Sequence, residues 1–238
     1  MLYFWIIIIV SVASLVKGIT GFGFALIAMP PLMIWYSPKE LIPVLILCNL
    51  FASLVIVLQK KDRKLVNKQF QSLIGFGALF TLVGVLTLKY ISEDILITLM
   101  SVFFILLSVG SFLGIRYSIK LSDRSYKIAG VFLGFLTGSI SISGPPLALF
   151  LHSAGVDNQE FREIFSWFSI VTAFIALVGY GLLGLLTLAT FKMTLLFLPI
   201  LYLGSFLGKR LNHLISPLLF KNISVFITLL SSLFLLLK

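Results

Sequence analysis

Apolar residues fill the chain in stretches close to the length that crosses a bilayer, and polar residues gather in the short breaks between them. A helix needs about 20 apolar residues to span the hydrocarbon. Leu41–Leu58, Phe70–Leu88, Ile95–Gly114, Phe161–Leu183, Phe191–Gly208 and Leu218–Leu237 all approach that length. The pattern predicts spanning helices over about residues 40–58, 70–88, 94–114, 158–183, 190–208 and 218–237. Two longer apolar stretches, 2–36 and 126–152, are interrupted by glycine, proline, serine and threonine and predict broken helices. Leu2–Val16 has no basic residue before it, and Lys17 stands where a signal peptide would place a small-residue cleavage site, so this stretch is expected in the mature protein.

The interrupted stretches head two similar halves. An offset of 120 residues aligns Ser37-Pro38-Lys39-Glu40-Leu41 with Asp157-Asn158-Gln159-Glu160-Phe161, Gly84 with Gly204 and Lys89 with Lys209. Ser37 and Asp157 read as helix N-caps, with Glu40 and Glu160 at the capping-box spacing. Upstream, Pro30-Pro31-Leu32 matches Pro145-Pro146-Leu147 at an offset of 115 and Thr20-Gly21 matches Thr137-Gly138 at 117, which implies small insertions. Equivalent loops carry opposite charge bias. The loop after Leu58 holds five basic residues and one acid while its counterpart after Leu183 holds none, and the next pair sets Lys89, Glu93 and Asp94 against Lys209, Arg210 and His213. Basic loops stay in the cytoplasm, so the swap predicts inverted repeats.

The expected fold is therefore an all-α polytopic membrane protein of two inverted repeats, residues 1–115 and 116–238. Each repeat has one broken, re-entrant segment of two half-helices with no net crossing, followed by three full spans. Loops 59–69, 114–127 and 209–217 then face the cytoplasm, and Lys39, Lys89, Lys192 and Lys238 lie outside. One full crossing per broken segment is the alternative, which puts the basic 209–217 loop outside.

The interruptions carry the chemistry. Gly130, Gly134 and Gly138 form a small-xxx-small face for close helix approach. Ser139–Ser143 suits unwound backbone, after which Ser143 caps a new helix with Pro145-Pro146 in its first turn, where no N–H is needed. In the first half Gly18 ends one half-helix and Thr20 caps the next, around Gly21 and Gly23. Broken backbone inside a membrane survives only against protein or a polar cavity. A helix starting there presents free N–H groups and a positive dipole end, which suits an anion. The expected substrate-binding set is Lys17, Thr20, Gly21, Gly23, Thr137, Gly138, Ser139, Ser141, Ser143, Gly144, Pro145 and Arg162. The plainer reading of the same residues is that serine and threonine bond back within their own helices. Lys17 either adds a cation to the site or snorkels at the interface. Arg162 either pairs with Asp157, Glu160 and Glu163 or forks onto an oxyanion. His152 is an interfacial histidine or a proton shuttle. Asn49 serves packing or faces the cavity.

Composition narrows the partners. Sixty per cent of the residues are apolar and 11% charged, more apolar surface than a soluble domain can hide. The net charge of +10 gathers in loops between spans and answers to membrane orientation rather than nucleic acid. Cys48 is the single cysteine, so no internal disulfide forms, and no CxxC, HExxH or carboxylate cluster offers a metal site. No Walker motif is present, which leaves an ion gradient, the anion's own potential or a partner as the energy source. No cofactor is expected.

Lys17-Gly18-Ile19-Thr20-Gly21-Phe22-Gly23-Phe24 followed by Pro30-Pro31-Leu32, its echo Thr137-Gly138 with Ser143-Gly144-Pro145-Pro146-Leu147, and Arg162 soon after together resemble the sulfite exporter TauE/SafE family of membrane transporters. The resemblance covers essentially the whole chain, departing at Phe24-Ala25, where many members are richer in glycine. It implies a multi-pass permease of the cell membrane for sulfite, sulfonates or related sulfur anions, usually described as export. The residues alone imply only a small anion, and sulfate, thiosulfate, phosphate or carboxylate would suit the same groups. Three other functions compete: an anion channel, an intramembrane enzyme, which lacks facing acids or a histidine pair, and a non-transporting scaffold, which needs no polar cavity.

Overall fold

The computed structural model describes residues 2–58, 68–112, 122–153, 155–156, 158–211 and 217–237. Among them are ten helices and no strand: α1 (Leu2–Thr20), α2 (Phe24–Leu32), α3 (Pro38–Leu58), α4 (Lys68–Tyr90), α5 (Glu93–Phe112), α6 (Asp123–Ile140), α7 (Gly144–Ser153), α8 (Asn158–Leu182), α9 (Leu188–Leu211) and α10 (Pro217–Leu237). Six are long and apolar enough to cross a membrane, within α1, α3, α4, α5, α8 and α9. Large apolar side chains such as Leu79, Leu82 and Leu86 on α4 and Leu195, Leu203 and Phe206 on α9 are exposed, the face a lipid-facing helix shows. The loops that carry the orientation argument, 59–67, 113–121 and 212–216, lie outside the described residues.

Both broken segments are present, but neither consists of two matched half-helices. α1 and α6 have 19 and 18 residues, α2 and α7 only 9 and 10. At 1.5 Å per residue each long member reaches roughly 27–29 Å and each short one roughly 14–15 Å. The breaks are also shorter and later than expected. Gly18 does not end α1, which runs on to Thr20, and Ser139 and Ile140 remain helical, so only residues 21–23 and 141–143 leave the helix.

Element positions recur at one offset from the helix breaks through α4 and α9, whereas α5 and α10 start 124 residues apart. α1 and α6 end at Thr20 and Ile140, and the starts of α2 and α7 (Phe24, Gly144), α3 and α8 (Pro38, Asn158) and α4 and α9 (Lys68, Leu188) are likewise 120 residues apart. No insertion separates the broken segments from the rest. The offset of 115 suggested by the two Pro-Pro-Leu motifs is wrong because the prolines occupy different places. Pro145-Pro146 lie in the first turn of α7 and Pro30-Pro31 near the end of α2. Proline is tolerated at a helix start, whereas late in a helix it leaves carbonyls one turn earlier without their donors.

The chain divides into two compact units that draw on both halves of the sequence. The first comprises Met1–Leu45, Ile91–Ile115 and Leu188–Lys238, the second Ile46–Tyr90 and Arg116–Thr187. In the first unit α1 packs on α9, α5 on α10, and α2 on α1 and α10. In the second, α6 packs on α4, and α8 on α4, α6 and α7.

The glycine face of α6 is what lets α4 approach. A Cβ at Gly130 would lie 2.5 Å from the Leu73 carbonyl oxygen, and one at Gly134 or Gly138 would strike the carbonyls of Gly77 and Thr81. From the other side, a Cβ at Gly84 would strike the Phe135 carbonyl. The first unit repeats the arrangement at positions 120 residues away: Gly18 abuts the Ser205 carbonyl and a Cβ at Gly204 would lie 2.5 Å from the Ser14 Cβ. Gly18, expected to end a helix, instead serves this close packing.

The helix ends follow local chemistry. Ser37 Oγ accepts the Lys39 N–H at 3.2 Å, as an N-cap should, but donates to the Glu93 carboxylate at 2.7 Å. Asp157, the equivalent expected cap, lies outside the described residues. Ser122 caps α6 in a reciprocal pair with Ser125. Lys127 bonds Asp123 at 2.7 Å and, by that hydrogen bond chiefly, holds the exposed carboxyl below the usual carboxylate range. Lys89 donates to the Leu183 carbonyl at 2.8 Å and so covers the end of α8.

Candidate functional site

The expected residues fall in both units: Lys17, Thr20, Gly21 and Gly23 in the first, and Thr137, Gly138, Ser139, Ser141, Ser143, Gly144, Pro145 and Arg162 in the second.

In the second unit, α6 terminates through Ser141, whose N–H bonds the Thr137 carbonyl at 3.0 Å. Ser141 has φ 59 and ψ 22, the left-handed conformation that glycine usually supplies at a helix end. It is the one non-glycine residue with positive φ among those described. Its counterpart 120 residues earlier is Gly21, at φ 87. Ser141 is 5% exposed, and its hydroxyl has no hydrogen-bond partner among the described residues. Backbone strain and an unsatisfied hydroxyl thus coincide at one residue, each a cost that glycine would avoid.

α7 then begins as the proline pattern implies. The Leu147 N–H bonds the Ser143 carbonyl at 2.9 Å, which makes Ser143 the residue before the first turn. Pro145 and Pro146 bring no N–H, so this helix start offers fewer amide donors than an ordinary one, and Gly144 is the first helical residue that has one. Ser143 and Gly144 are buried.

The other hydroxyls do not face outward as donors. Thr137 and Ser139 donate to the carbonyls of Leu133 and Phe135 at 2.8 and 2.7 Å, the within-helix bonding of the plainer reading. Gly138 keeps its place in the packing against α4. Its carbonyl, which has lost a helical donor because α6 stops at Ile140, accepts the Tyr180 hydroxyl at 2.7 Å. Tyr180 is fully buried on α8 and is not among the residues expected from the sequence. The signal that marks it is a tyrosine between Gly179 and Gly181 in an otherwise apolar span, since a buried tyrosine hydroxyl needs a partner.

The break of the first unit is built differently. Gly23, at φ 91, precedes α2 with no side-chain cap. Thr20 does not cap α2. Its hydroxyl lies 2.9 Å from the Val16 carbonyl and 2.7 Å from that of Phe22, and accepts the Phe22 N–H at 3.2 Å, stitching the break to itself. Lys17 lies in the last turn of α1 and is 3% exposed, which rules out a side chain snorkelling along the surface. Thus the first break has a buried cation beside glycines, the second a set of serines.

Arg162 is half-buried near the start of α8, where its carbonyl accepts the Ser166 hydroxyl at 2.6 Å. The side chain of His152 lies outside the described residues. No cluster of three or more histidine, cysteine, aspartate or glutamate side chains that could hold a metal ion occurs among the described residues.

Six membrane-length apolar helices, two helix breaks at equivalent places and buried polar groups at both define a polytopic α-helical membrane protein of transporter type. The chain belongs to the sulfite exporter TauE/SafE family, whose model matches residues 6–235. No curated protein and no solved structure gives a significant match.

Proposed function

We propose that the protein is a secondary transporter, working as an exporter in the cell membrane, for a small sulfur-containing oxyanion such as sulfite or a short sulfonate. The sulfur chemistry follows from family membership. The residues supply the anion preference. At the α6–α7 break the Ser141 hydroxyl donates to one substrate oxygen, and the Ser143 hydroxyl and Gly144 N–H flank it. At the α1–α2 break Lys17 supplies positive charge. The repeats are inverted, a reading that the opposite charge bias of their equivalent loops supports.

One observation carries the reading: Ser141 holds a strained conformation that its counterpart Gly21 adopts freely, and keeps a buried hydroxyl with no partner among the described residues. A residue that costs stability twice is best accounted for by a ligand that uses its hydroxyl.

The test is flux in proteoliposomes of the purified protein loaded with ³⁵S-sulfite, thiosulfate, sulfate or a short sulfonate. Saturable movement of sulfite or the sulfonate, faster than sulfate, is expected. Equal movement of all four, or none above protein-free vesicles, contradicts the proposal.

A further inference from the structure

The end of the chain is charged in one sense only. From Ile164 to Lys238 there is no aspartate or glutamate, against five basic residues, Lys192, Lys209, Arg210, Lys221 and Lys238. Two of them, Lys209 and Arg210, are adjacent and exposed in the last turn of α9, where a membrane-length span ends. Neither side chain makes a hydrogen bond or an ion pair among the described residues. What holds Arg210 is a ring: its guanidinium lies over Phe206, 4.5 Å from the ring centroid. Phe206 is itself 46% exposed. Leu196, Pro199 and Leu203 precede it along that face at helical spacing, and all three are exposed. The opposite face of α9 is the one that packs on α1 through Gly204 and Gly208. The stripe from Leu196 to Phe206 is thus turned to lipid, and Arg210 stands at its polar end.

A guanidinium above a ring is held by its charge rather than by its N–H groups, which stay available for the oxygens of a phosphate. Such a side chain is partly ordered before it binds, so less freedom is lost on binding. Lys209 adds a second positive charge. A zwitterionic headgroup would bring its own ammonium toward this pair, whereas an anionic phospholipid brings a phosphate with no compensating cation. Its acyl chains find the apolar stripe below. The equivalent place in the first half lacks these groups. Leu86 and Tyr90 stand 120 residues before Phe206 and Arg210, and Glu93 and Asp94 follow them. Lys89, the counterpart of Lys209, already donates to the Leu183 carbonyl.

We infer that Arg210, with Phe206 beneath it and Lys209 beside it, binds the headgroup phosphate of an anionic phospholipid whose acyl chains lie along the exposed face of α9. Binding there does not depend on the substrate reading above. An arginine that merely snorkelled to the membrane surface would take any phosphate headgroup alike.

The test is native mass spectrometry of the purified full-length protein in detergent, titrated with phosphatidylglycerol or with phosphatidylcholine of the same acyl chains. Wild-type protein is expected to retain phosphatidylglycerol at concentrations where phosphatidylcholine is lost. Arg210→Gln should weaken phosphatidylglycerol binding about fivefold or more, the effect of losing one cation at an anionic lipid surface. Phe206→Leu, which removes the ring and keeps the charge, should weaken it about two- to fivefold, while Phe206→Tyr should bind as wild type does. Arg124→Gln removes an exposed arginine at the start of α6 and should change nothing. All these positions are exposed, so the variants are expected to melt as wild type does. Equal retention of the two lipids by wild type overturns the inference. So does wild-type binding by Arg210→Gln or Phe206→Leu, or a loss in Arg124→Gln as large as that in Arg210→Gln, the mark of general charge attraction. Displacement of phosphatidylglycerol by an equal concentration of free glycerol phosphate would show a site for a soluble phosphate and overturn the lipid assignment.

Discussion

Ser141 and Gly21 occupy the same place in the two halves, and both adopt the left-handed conformation. For a non-glycine residue that conformation costs about 1–2 kcal/mol, while glycine costs about 0.5–1 kcal/mol through the entropy of the unfolded chain. Ser141→Gly is therefore expected to leave stability within about 1 kcal/mol of wild type, measured by thermal melting. The same change removes a donor to a charged ligand, worth about 1.5–3 kcal/mol, so anion affinity should fall roughly 10- to 100-fold. A melting temperature that collapses would show that the hydroxyl holds the fold rather than a substrate. Tyr180 can be judged in the same way. Tyr180→Phe leaves the Gly138 carbonyl without its partner in a fully buried place and should cost about 1–3 kcal/mol. A melting temperature equal to wild type would contradict the role assigned to that bond.

At the scale of elements, the long helix of each broken segment is anchored by backbone-to-backbone packing. Gly134→Ala and Gly138→Ala place a methyl group against the carbonyls of Gly77 and Thr81, which cannot rotate away as a flexible side chain would. Each is expected to destabilise by about 3 kcal/mol or more, at or beyond the usual range for overpacking. Gly75→Ala and Gly110→Ala meet open space and should cost nothing, which makes them the controls for the same melting experiment. The close approach was legible in the sequence, because glycines at 130, 134 and 138 of an apolar helix lay a stripe without side chains along one face. The site of each break was less legible. Gly18 reads as a helix end because glycine serves both ends and contacts, and only the position of the facing carbonyl separates the two uses. The Pro-Pro-Leu motifs misled in the same manner, since proline fits wherever an N–H is not required, and that condition holds at the start of α7 and is made to hold near the end of α2.

At the scale of the molecule, an offset of 120 residues relates the helix breaks, the starts of α2, α3 and α4 to those of α7, α8 and α9, and the glycine contacts in the two halves. The hydrophobic pattern and the repeat were readable because bilayer thickness and backbone bonding leave few choices of element. The exchange was not readable: α6 of the second half packs on α4 of the first, and α1 on α9, contacts that depend on distant residues meeting rather than on any local period. The proposed inverted topology makes its own prediction. In a Cys48→Ala background, a cysteine at Ser92 should react with an impermeant maleimide added outside intact cells, and one at His213 only after the membrane is opened. Both reacting from the same side would contradict inversion. The central claim is that the α6–α7 break receives a sulfur oxyanion through Ser141. It is tested most directly by calorimetric titration of sulfite into purified wild-type and Ser141→Gly protein, both first shown to be folded by thermal melting. Saturable binding to wild type that weakens at least about tenfold in the variant is the predicted result. Equal affinity in the two proteins, or no binding to wild type, would contradict it.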